Sequence, residues 1–394
     1  MNDLFNPLHT MWHCRTIDSL DEIDAAVWDR LNRGDYPFAR HAFLAGLERT
    51  GCVRAETGWQ PRHLLVYENA AADTPVGAVP LYLKSHSWGE YVFDWAWADA
   101  YERAGLPYYP KLLCAIPFTP ATGPRLLVAP DGDRPEDVRR ALVRGIIREA
   151  ERLNVSSVHW LFTDAADTRA LEAEGLLKRT GNQFHWQNRG YRDFDDFLAN
   201  LTSKRRKQIR RERRQVAEAG VAVQMMEGRE LAPHDWDAMY GFYRNTVLER
   251  GAIPYLSREF FHRLVTDMPG QTLIAAARDS SGELVAGALY LRSENTLYGR
   301  YWGASTFYEG LHFEACYYQP IDYCVRHGID RFEAGAQGEH KLNRGLVPNP
   351  TFSAHWLAHP QFTDAVRDFL HTETRHVERY AAVLGHHSPF RREE

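Results

Sequence analysis

Two segments of the chain spell the same short pattern, and an internal repeat restricts the fold more than any other feature of this sequence. Around Leu81 the chain reads LYLKSHSWGEY, and around Leu289 it reads LYLRSENTLYGRY. Each copy has LYL, a base, a serine, a short polar turn, and a glycine–charge–tyrosine step into a further strand. Upstream, HLLVYEN corresponds to TLIAAARD, and the turns AAADTP and DSSG carry residues that break strands. The expected strands are 62–68, 76–84 and 90–97 in the first copy, and 272–278, 284–292 and 296–303 in the second. Downstream the order holds. Residues 136–153 place Val138, Leu142, Ile146 and Ala150 at helical spacing before the strand-like VSSVHWLF; residues 311–327 read as a helix before IDRFEAG. Three antiparallel strands, a helix and another strand, twice over, predict a duplicated α+β unit built on a mixed sheet.

Between the copies, Phe194, Phe197, Leu198 and Leu201 line one face of a short helix. Ser203 can cap a second helix that ends at Gly220, and VAVQMM then opens the second unit. The division is residues 1–190, a helical linker over 191–220, and residues 221–394. The linker contains KRRKQIRRERR (204–214), where eight bases and one acid, Glu212, stand in a chain of net charge −5. At 100° per residue, Ile209 and Val216 make a narrow apolar stripe, and every base except Arg205 lies on the opposite half. A purely solvating helix mixes signs at i, i+4, whereas here like charges crowd together at a cost. Lys204, Lys207, Arg210, Arg211 and Arg214 are therefore expected to bind an anion, a phosphate-rich polymer or a phosphorylated substrate.

Composition excludes several classes. A hydrophobic content of 44% with 12% aromatics is that of a globular chain, not a disordered one. Five cysteines without a CxxC pair fit reduced thiols, and MNDLFNPLHTMWHCRT has no signal-peptide pattern, so a cytoplasmic protein is expected. No run is long and apolar enough to span a bilayer. HWLAH (355–359) lacks the glutamate of a zinc-binding HExxH and HTMWH (9–13) is no better, so no metal is expected.

Two strand–helix–strand units of this kind have the layout of GNAT-type acyltransferases. Joined through TSKRRKQIRRERRQVAEAGVAV (202–223), they resemble the Fem family of tRNA-dependent peptidyltransferases. The stretches HSWGEYVFDWAWADAYERAGLPYYPKL, PFTPATGPRLL and FEAGAQGEHKLNRGLVPNPTFSAHW are most similar to the FemAB-like branch of N-acyltransferases labelled peptidoglycan biosynthesis/recognition. The resemblance covers nearly the whole chain. It implies tandem GNAT-like domains and transfer of an activated acyl group to an amine. No tightly bound cofactor is implied, and the co-substrate is aminoacyl-tRNA or acyl-CoA. There are two departures. The GNAT pyrophosphate loop is half present, as Arg300, Gly303 and Ser305, and no heptad-rich coiled-coil arm is found.

Amide formation needs a neutral amine, an oriented carbonyl and a stabilised oxyanion, but no covalent nucleophile. No GxSxG, Walker A or GxGxxG motif occurs. The first candidate cluster is GAQGEHKLNRG (335–345), where glycines let backbone N–H groups approach a ligand. Glu339 or His340 could take the amine proton; Lys341 and Arg344 could hold phosphate or carboxylate. The second cluster is His86, Glu90, Asp94, Asp99, Tyr101, Tyr108, Tyr109 and Lys111, with the tyrosines and acids as an acceptor pocket and Asp99 as a second catalytic acid. Phe93, Trp95 and Trp97 read as core of an alternating strand. Arg300, Tyr301 and Trp302 are placed by the resemblance at the reaction groove, with Glu314 as a further choice. The favoured reading is an aminoacyl transferase with tRNA and a small amine as partners. Its alternatives are an acyl-CoA enzyme acting on a metabolite or lipid, and a non-catalytic protein that binds nucleic acid or a precursor.

Overall fold

The computed structural model describes residues 12–32, 35–336 and 338–391. The first half supplies strands β1 (His13–Ile17), β2 (Trp59–Pro61), β3 (His63–Tyr67), β4 (Gly77–Val79), β5 (Leu81–Lys84), β6 (Lys111–Cys114), β7 (Leu127–Val128), β8 (Ser157–Thr163) and β9 (Leu177–Gln187). The second supplies β10 (Ala222–Glu227), β11 (Thr272–Arg278), β12 (Leu284–Arg292), β13 (Thr296–Ala304), β14 (Arg331–Glu333) and β15 (Val347–Leu357). A small sheet has the order β1-β3-β4-β7, and an eleven-stranded sheet runs β10-β11-β12-β13-β14-β9-β15-β8-β6-β5-β2.

The duplication holds at the level of connections. In the first half β6 is joined to its parallel neighbour β8 across the Pro135–Leu153 helix; in the second, β13 is joined to parallel β14 across helical residues 311–327. Each half then adds one long strand, and these two cross over. β9 pairs antiparallel with β14 of the second half, β15 pairs antiparallel with β8 of the first, and β9 and β15 pair with each other from His185↔Val347 to Leu177↔His355. This exchange welds the halves into one sheet. β11 and β12 are buried on both faces, which is why TLIAAAR and LVAGALYLR are apolar runs without alternation.

Two expectations need correction, both in the first half. Residues 76–84 are not one strand but two, because Pro80 has no N–H to give to a ladder: β4 joins the small sheet and β5 the large one. Residues 90–97 are not a strand. The third strand is β6, and before it lie a loop and the Trp95–Arg103 helix. The alternation in YVFDWAW is misleading, because Phe93 and Trp95 are 54% and 37% exposed while Trp97 is buried. Trp97 and Tyr101, four apart, form the buried face of that helix. Of the three aromatics read as core, Trp97 alone is in it.

The linker forms helices Phe194–Ala199 and Ser203–Glu218. Thr202, not Ser203, occupies the cap position, and Gly220 takes the left-handed conformation expected of it, φ +73. Ile209 and Val216 are buried as the apolar stripe, worth about 1.5–3 kcal/mol each. Glu212 is buried beside them, which the charge pattern did not suggest. Among the described residues no helix is long and apolar enough to cross a membrane.

Candidate active site

β13 and β14 pair only over Thr296–Tyr298 and Arg331–Glu333. Past that point β14 ends while β13 continues to Ala304, so the two diverge and leave the far edge of β13 without a strand partner. The register with β12 jumps from Leu289↔Tyr301 to Tyr290↔Gly299, making Arg300 a bulged residue at the mouth of the split. Into this wedge opens a cavity of about 630 Å³. Its floor is Gly299, Arg300, Tyr301 and Trp302; the Pro233–Glu249 helix and following turn bring Tyr243 and Arg250; the first half closes the mouth with Tyr91 and Phe93.

The opposite wall comes from the crossover helix and the glycine-rich turn. Residues Glu314–Tyr318 form a π-helical turn, which sets Cys316 and Tyr317 against the cavity, with His312 just before it. After β14 the chain passes Gly335 (φ +80) and Gly338 (φ +120) into the 3₁₀ turn Glu339–Arg344. A side chain at Gly338 would meet the His340 ring at 2.5 Å, so glycine is needed there twice over.

The cavity is one-sided in charge. Arg250, Arg300 and Lys341 line it together with His312 and His340, and among the described residues no aspartate or glutamate does. Lys341 is buried, donates its Nζ proton to the Gly335 carbonyl at 2.7 Å, and has no carboxylate partner among the described residues; burial brings its pKa down to about 8. His312 is pushed down to about 4 by burial and by the neighbouring His340 and Arg344, so its imidazole is neutral at pH 7. His340 is lowered by burial and the charges of Arg344 and Lys341, and its Nε2 lies 2.9 Å from the Tyr317 hydroxyl.

The structure sorts the first cluster. His340 and Lys341 face the cavity. Glu339 is exposed and accepts a hydrogen bond from Tyr380 on the C-terminal Pro360–His386 helix, outside the cavity lining. Arg344 is buried, donates to both Glu212 oxygens at 3.1 Å and to the His340 carbonyl at 2.9 Å, and lies 3.3 Å over the Phe313 ring. It therefore ties the basic helix to the cavity wall and offers little to a ligand. Arg300 lines the floor but donates to the Phe118 carbonyl and Thr119, anchoring the first half; Tyr301 packs against Tyr243, and Trp302 meets His312 edge-on. Glu314 receives Arg213 at 3.1 Å and is likewise a tie.

The second cluster is half assembled. Lys111 is fully buried and donates to Ser87 at 2.7 Å, Glu90 at 2.8 Å and Asp94; Tyr108 donates to Asp94 at 2.6 Å and lies 3.1 Å from His159. Tyr109 joins through Ser87 at 2.8 Å. Burial raises Glu90 to about 7 and lowers Lys84, 4.0 Å away, to about 7; against the pull of burial, Asp94 is held low by Lys111 and His159. This is a buried polar network, not an open acceptor pocket. It pins Glu90 and Asp94, the two ends of the Tyr91–Val92–Phe93 segment that borders the cavity. Three residues stand outside it. His86 lies 3.1 Å from the Thr57 carbonyl, Tyr101 stacks on Phe362 at 3.9 Å, and Asp99 is exposed on the Trp95–Arg103 helix, because residues taken for a strand wind into a helix.

On the Ser203–Glu218 helix, Lys204, Lys207, Arg210, Arg211 and Arg214 are exposed, with Arg210 paired to exposed Asp195 at 2.9 Å. The buried side of the same helix holds the cavity wall through Glu212–Arg344 and Arg213–Glu314. Gly303 and Ser305, the half-present pyrophosphate loop, serve packing. A side chain at Gly303 would meet the Phe242 carbonyl at 2.3 Å, and Ser305 donates to Val285. Sequence reasoning missed His312, Arg250, Tyr91 and Tyr317, which no motif marks, and the hydrogen-bonded His159–His355 pair, 2.7 Å apart. His355 is thus spoken for, and no group of three metal-ligating side chains occurs among the described residues. HTMWH lies partly outside the described residues. All five cysteines are unpaired.

The model of one protein family, FemAB-like, described as peptidoglycan biosynthesis/recognition, matches residues 19–392. The chain belongs to the FemAB-like family. No curated protein matches the sequence. Among solved structures, FemX is similar over 90% of this chain and 100% of that one, with a TM-score of 0.53 and 11% identity. The C-terminal domain of a putative lysylphosphatidylglycerol synthetase from Agrobacterium fabrum is similar over 89% and 96%, with a TM-score of 0.52 and 11% identity. At such identities the likeness is one of fold, and the duplicated α+β architecture on a mixed sheet expected from the repeat is the one observed. The FemAB-like chain thus has the family and fold of acyltransferase-type enzymes.

Proposed function

We propose that this FemAB-like protein moves an aminoacyl group from aminoacyl-tRNA to an amine. The observation that carries the reading is the coupling of two cationic features. A cavity lined by Arg250, Arg300 and Lys341, with no carboxylate among the described residues, shares a wall with a helix whose outer face exposes five bases. A polynucleotide carrier lies along that face, as phosphate contacts favour, and its acylated end enters the wedge. Packing at Gly303 and Ser305 argues against a pyrophosphate loop and hence against the acyl-CoA alternative.

In this reading the amine nitrogen attacks the ester carbonyl carbon, and a C–N bond forms as the carbonyl oxygen becomes an oxyanion. The free edge of β13 beyond Tyr298 and the Lys341 ammonium face that oxygen. Neutral His340, oriented by Tyr317, takes the proton from the attacking nitrogen. The ester C–O bond then breaks and the departing ribose oxygen receives a proton. Glu339, outside the cavity, and Asp99, exposed on its helix, have no part in it.

The test is transfer itself. The full-length protein is incubated with tRNA charged with each amino acid in turn and with small amines, and amide product is followed by mass spectrometry. Product abolished by Lys341→Met supports the reading. Absence of transfer from every charged tRNA, or displacement of a bound tracer by coenzyme A but not by tRNA, overturns it.

A further inference from the structure

Arg250, Arg300 and Lys341 all line the cavity, but they differ in what they already hold. Arg300 donates to the Phe118 carbonyl and to Thr119, and Lys341 donates to the Gly335 carbonyl. Arg344, just behind the wall, is neutralised by Glu212. Arg250 is different. Its guanidinium has no hydrogen-bond or ion-pair partner among the described residues, so a planar fork of N–H donors stands free at the edge of the cavity.

Part of its placement has a local explanation. Arg250 closes the C-terminal end of the Pro233–Glu249 helix, where a cation offsets the outward-facing carbonyls. That role asks nothing of the far wall, yet the Arg250 charge is felt there. Burial is the main cause that lowers His312 to about 4 and raises the Cys316 thiol and the Tyr317 hydroxyl, and the guanidinium acts on all three as a further charge. These three line the opposite wall, so the Arg250 side chain reaches over the opening instead of away from it.

The walls also divide the two substrates. The π-helical turn and the glycine-rich turn are tied to the basic helix through Glu314–Arg213 and Arg344–Glu212, and in the transfer reading the carrier approaches from that side. Arg250 stands on the facing wall, with Thr246 and Val247 of its own helix. We propose that Arg250 anchors an oxyanion of the acceptor, so that the amines this protein acylates carry a carboxylate or a phosphate. The inference rests on the transfer reading above and adds the class of acceptor to it. Carboxylate and phosphate oxygens both match the guanidinium fork in bidentate fashion. An anionic acceptor also supplies the negative charge that the lining lacks among the described residues. A neutral acceptor leaves Arg250 unpaired and gains no such bond.

The experiment measures binding to the full-length protein by calorimetry with two matched pairs of amines: alanyl-alanine against alanyl-alaninamide, and phosphoethanolamine against ethanolamine. Each pair differs in its oxyanion, so the two pairs separate a carboxylate source from a phosphate source. The anionic member of at least one pair should bind about tenfold or more tighter than its neutral counterpart, the size of a hydrogen bond to a charged group. Arg250→Gln should erase most of that preference, and Arg250→Lys, which keeps the charge but not the fork, should restore part of it. The tRNA affinity and the urea midpoint should stay as in the parent, because Arg250 is exposed and stands on the wall that is not tied to the basic helix. Equal binding within both pairs, no binding of either anionic probe, or a preference that survives Arg250→Gln overturns the proposal. So does a tRNA affinity that falls as far as the probe affinity, which would assign Arg250 to the carrier. Transfer that proceeds equally well to neutral amines in the parent and in Arg250→Gln removes the anchor and leaves the transfer reading standing. An Arg250-dependent preference without transfer from any charged tRNA keeps the anion site and removes that reading.

Discussion

Replacing Lys111 with methionine tests whether the Tyr91–Phe93 segment is held in place by charge. Methionine keeps most of the length of the side chain but removes the ammonium that meets Ser87, Glu90 and Asp94 inside the first half. Removing one partner of a buried pair costs about 3–5 kcal/mol, because the other is left buried and uncompensated. Here the two carboxylates share that loss unequally. Glu90, already raised to about 7 by burial, can take up a proton at neutral pH at little cost. Asp94 is held low chiefly by Lys111, and without that charge it must either stay ionised beside Tyr108 and His159 or bind a proton it does not bind now. The expectation is a loss of about 3–5 kcal/mol at pH 7 in urea unfolding, and a smaller loss at pH 5, where both acids protonate more readily. Glu90→Gln is the control. It replaces a group that is about half protonated at pH 7, so it should cost under about 1 kcal/mol. Since the folded pKa of Glu90 is raised, its contribution to stability is fully present below the unfolded value of 4.5 and is lost as pH rises through about 7. The variant should therefore flatten the stability profile over that window. A Lys111→Met protein within about 1 kcal/mol of the parent at both pH values would refute the reasoning, since it would mean that water, not the ammonium, compensates the two acids.

Three further outcomes follow from the site. Lys341 titrates at about 8 in the folded protein and acts as a cation, so transfer should fall as pH rises through about 8; Lys341→Arg, charged throughout, should shift that limb upward in a kcat/KM profile, and an unshifted limb would remove Lys341 from the oxyanion site. Changing Lys204, Lys207, Arg211 and Arg214 to alanine should lower the salt dependence of tRNA binding by roughly 0.7–0.9 for each phosphate no longer neutralised, with each exposed substitution altering stability by under about 0.5 kcal/mol; an unchanged slope in a filter-binding titration would show that the carrier does not lie on this face. Gly338→Ala combines a left-handed backbone at φ +120 with an approach of 2.5 Å to the His340 ring, so transfer should drop about tenfold or more while the urea midpoint moves little, as the turn can yield; retained activity would free His340 from its assigned role.

The duplicated order of elements was legible because each unit repeats the same succession of buried strands, which writes similar apolar runs at HLLVY and TLIAAAR and at LYLK and LYLR, even though HLLVY (β3) lies in the small sheet and TLIAAAR (β11) in the large one. The basic helix was legible for a related reason: a period of 3.6 separates the Ile209–Val216 stripe from the bases whatever the surroundings. What escaped were features settled between distant segments. The alternation of YVFDWAW satisfies the strand pattern, yet it gives way to a helix because Glu90 and Asp94 are drawn to Lys111, about 20 residues on, an attraction that no local window contains. Arg344 looked like a ligand arm as long as Glu212 counted as one acid among eight bases. Once that acid is buried, the pair becomes the tie that fixes the helix to the cavity wall. The exchange of β9 and β15 is the extreme case. Nothing in either strand distinguishes pairing within its own half from pairing with the other, yet this choice joins the copies into one eleven-stranded sheet, and Tyr91 and Phe93 of the first half close the mouth of the wedge in the second. Each half alone offers a sheet, and the closed cavity arises only where the two copies meet.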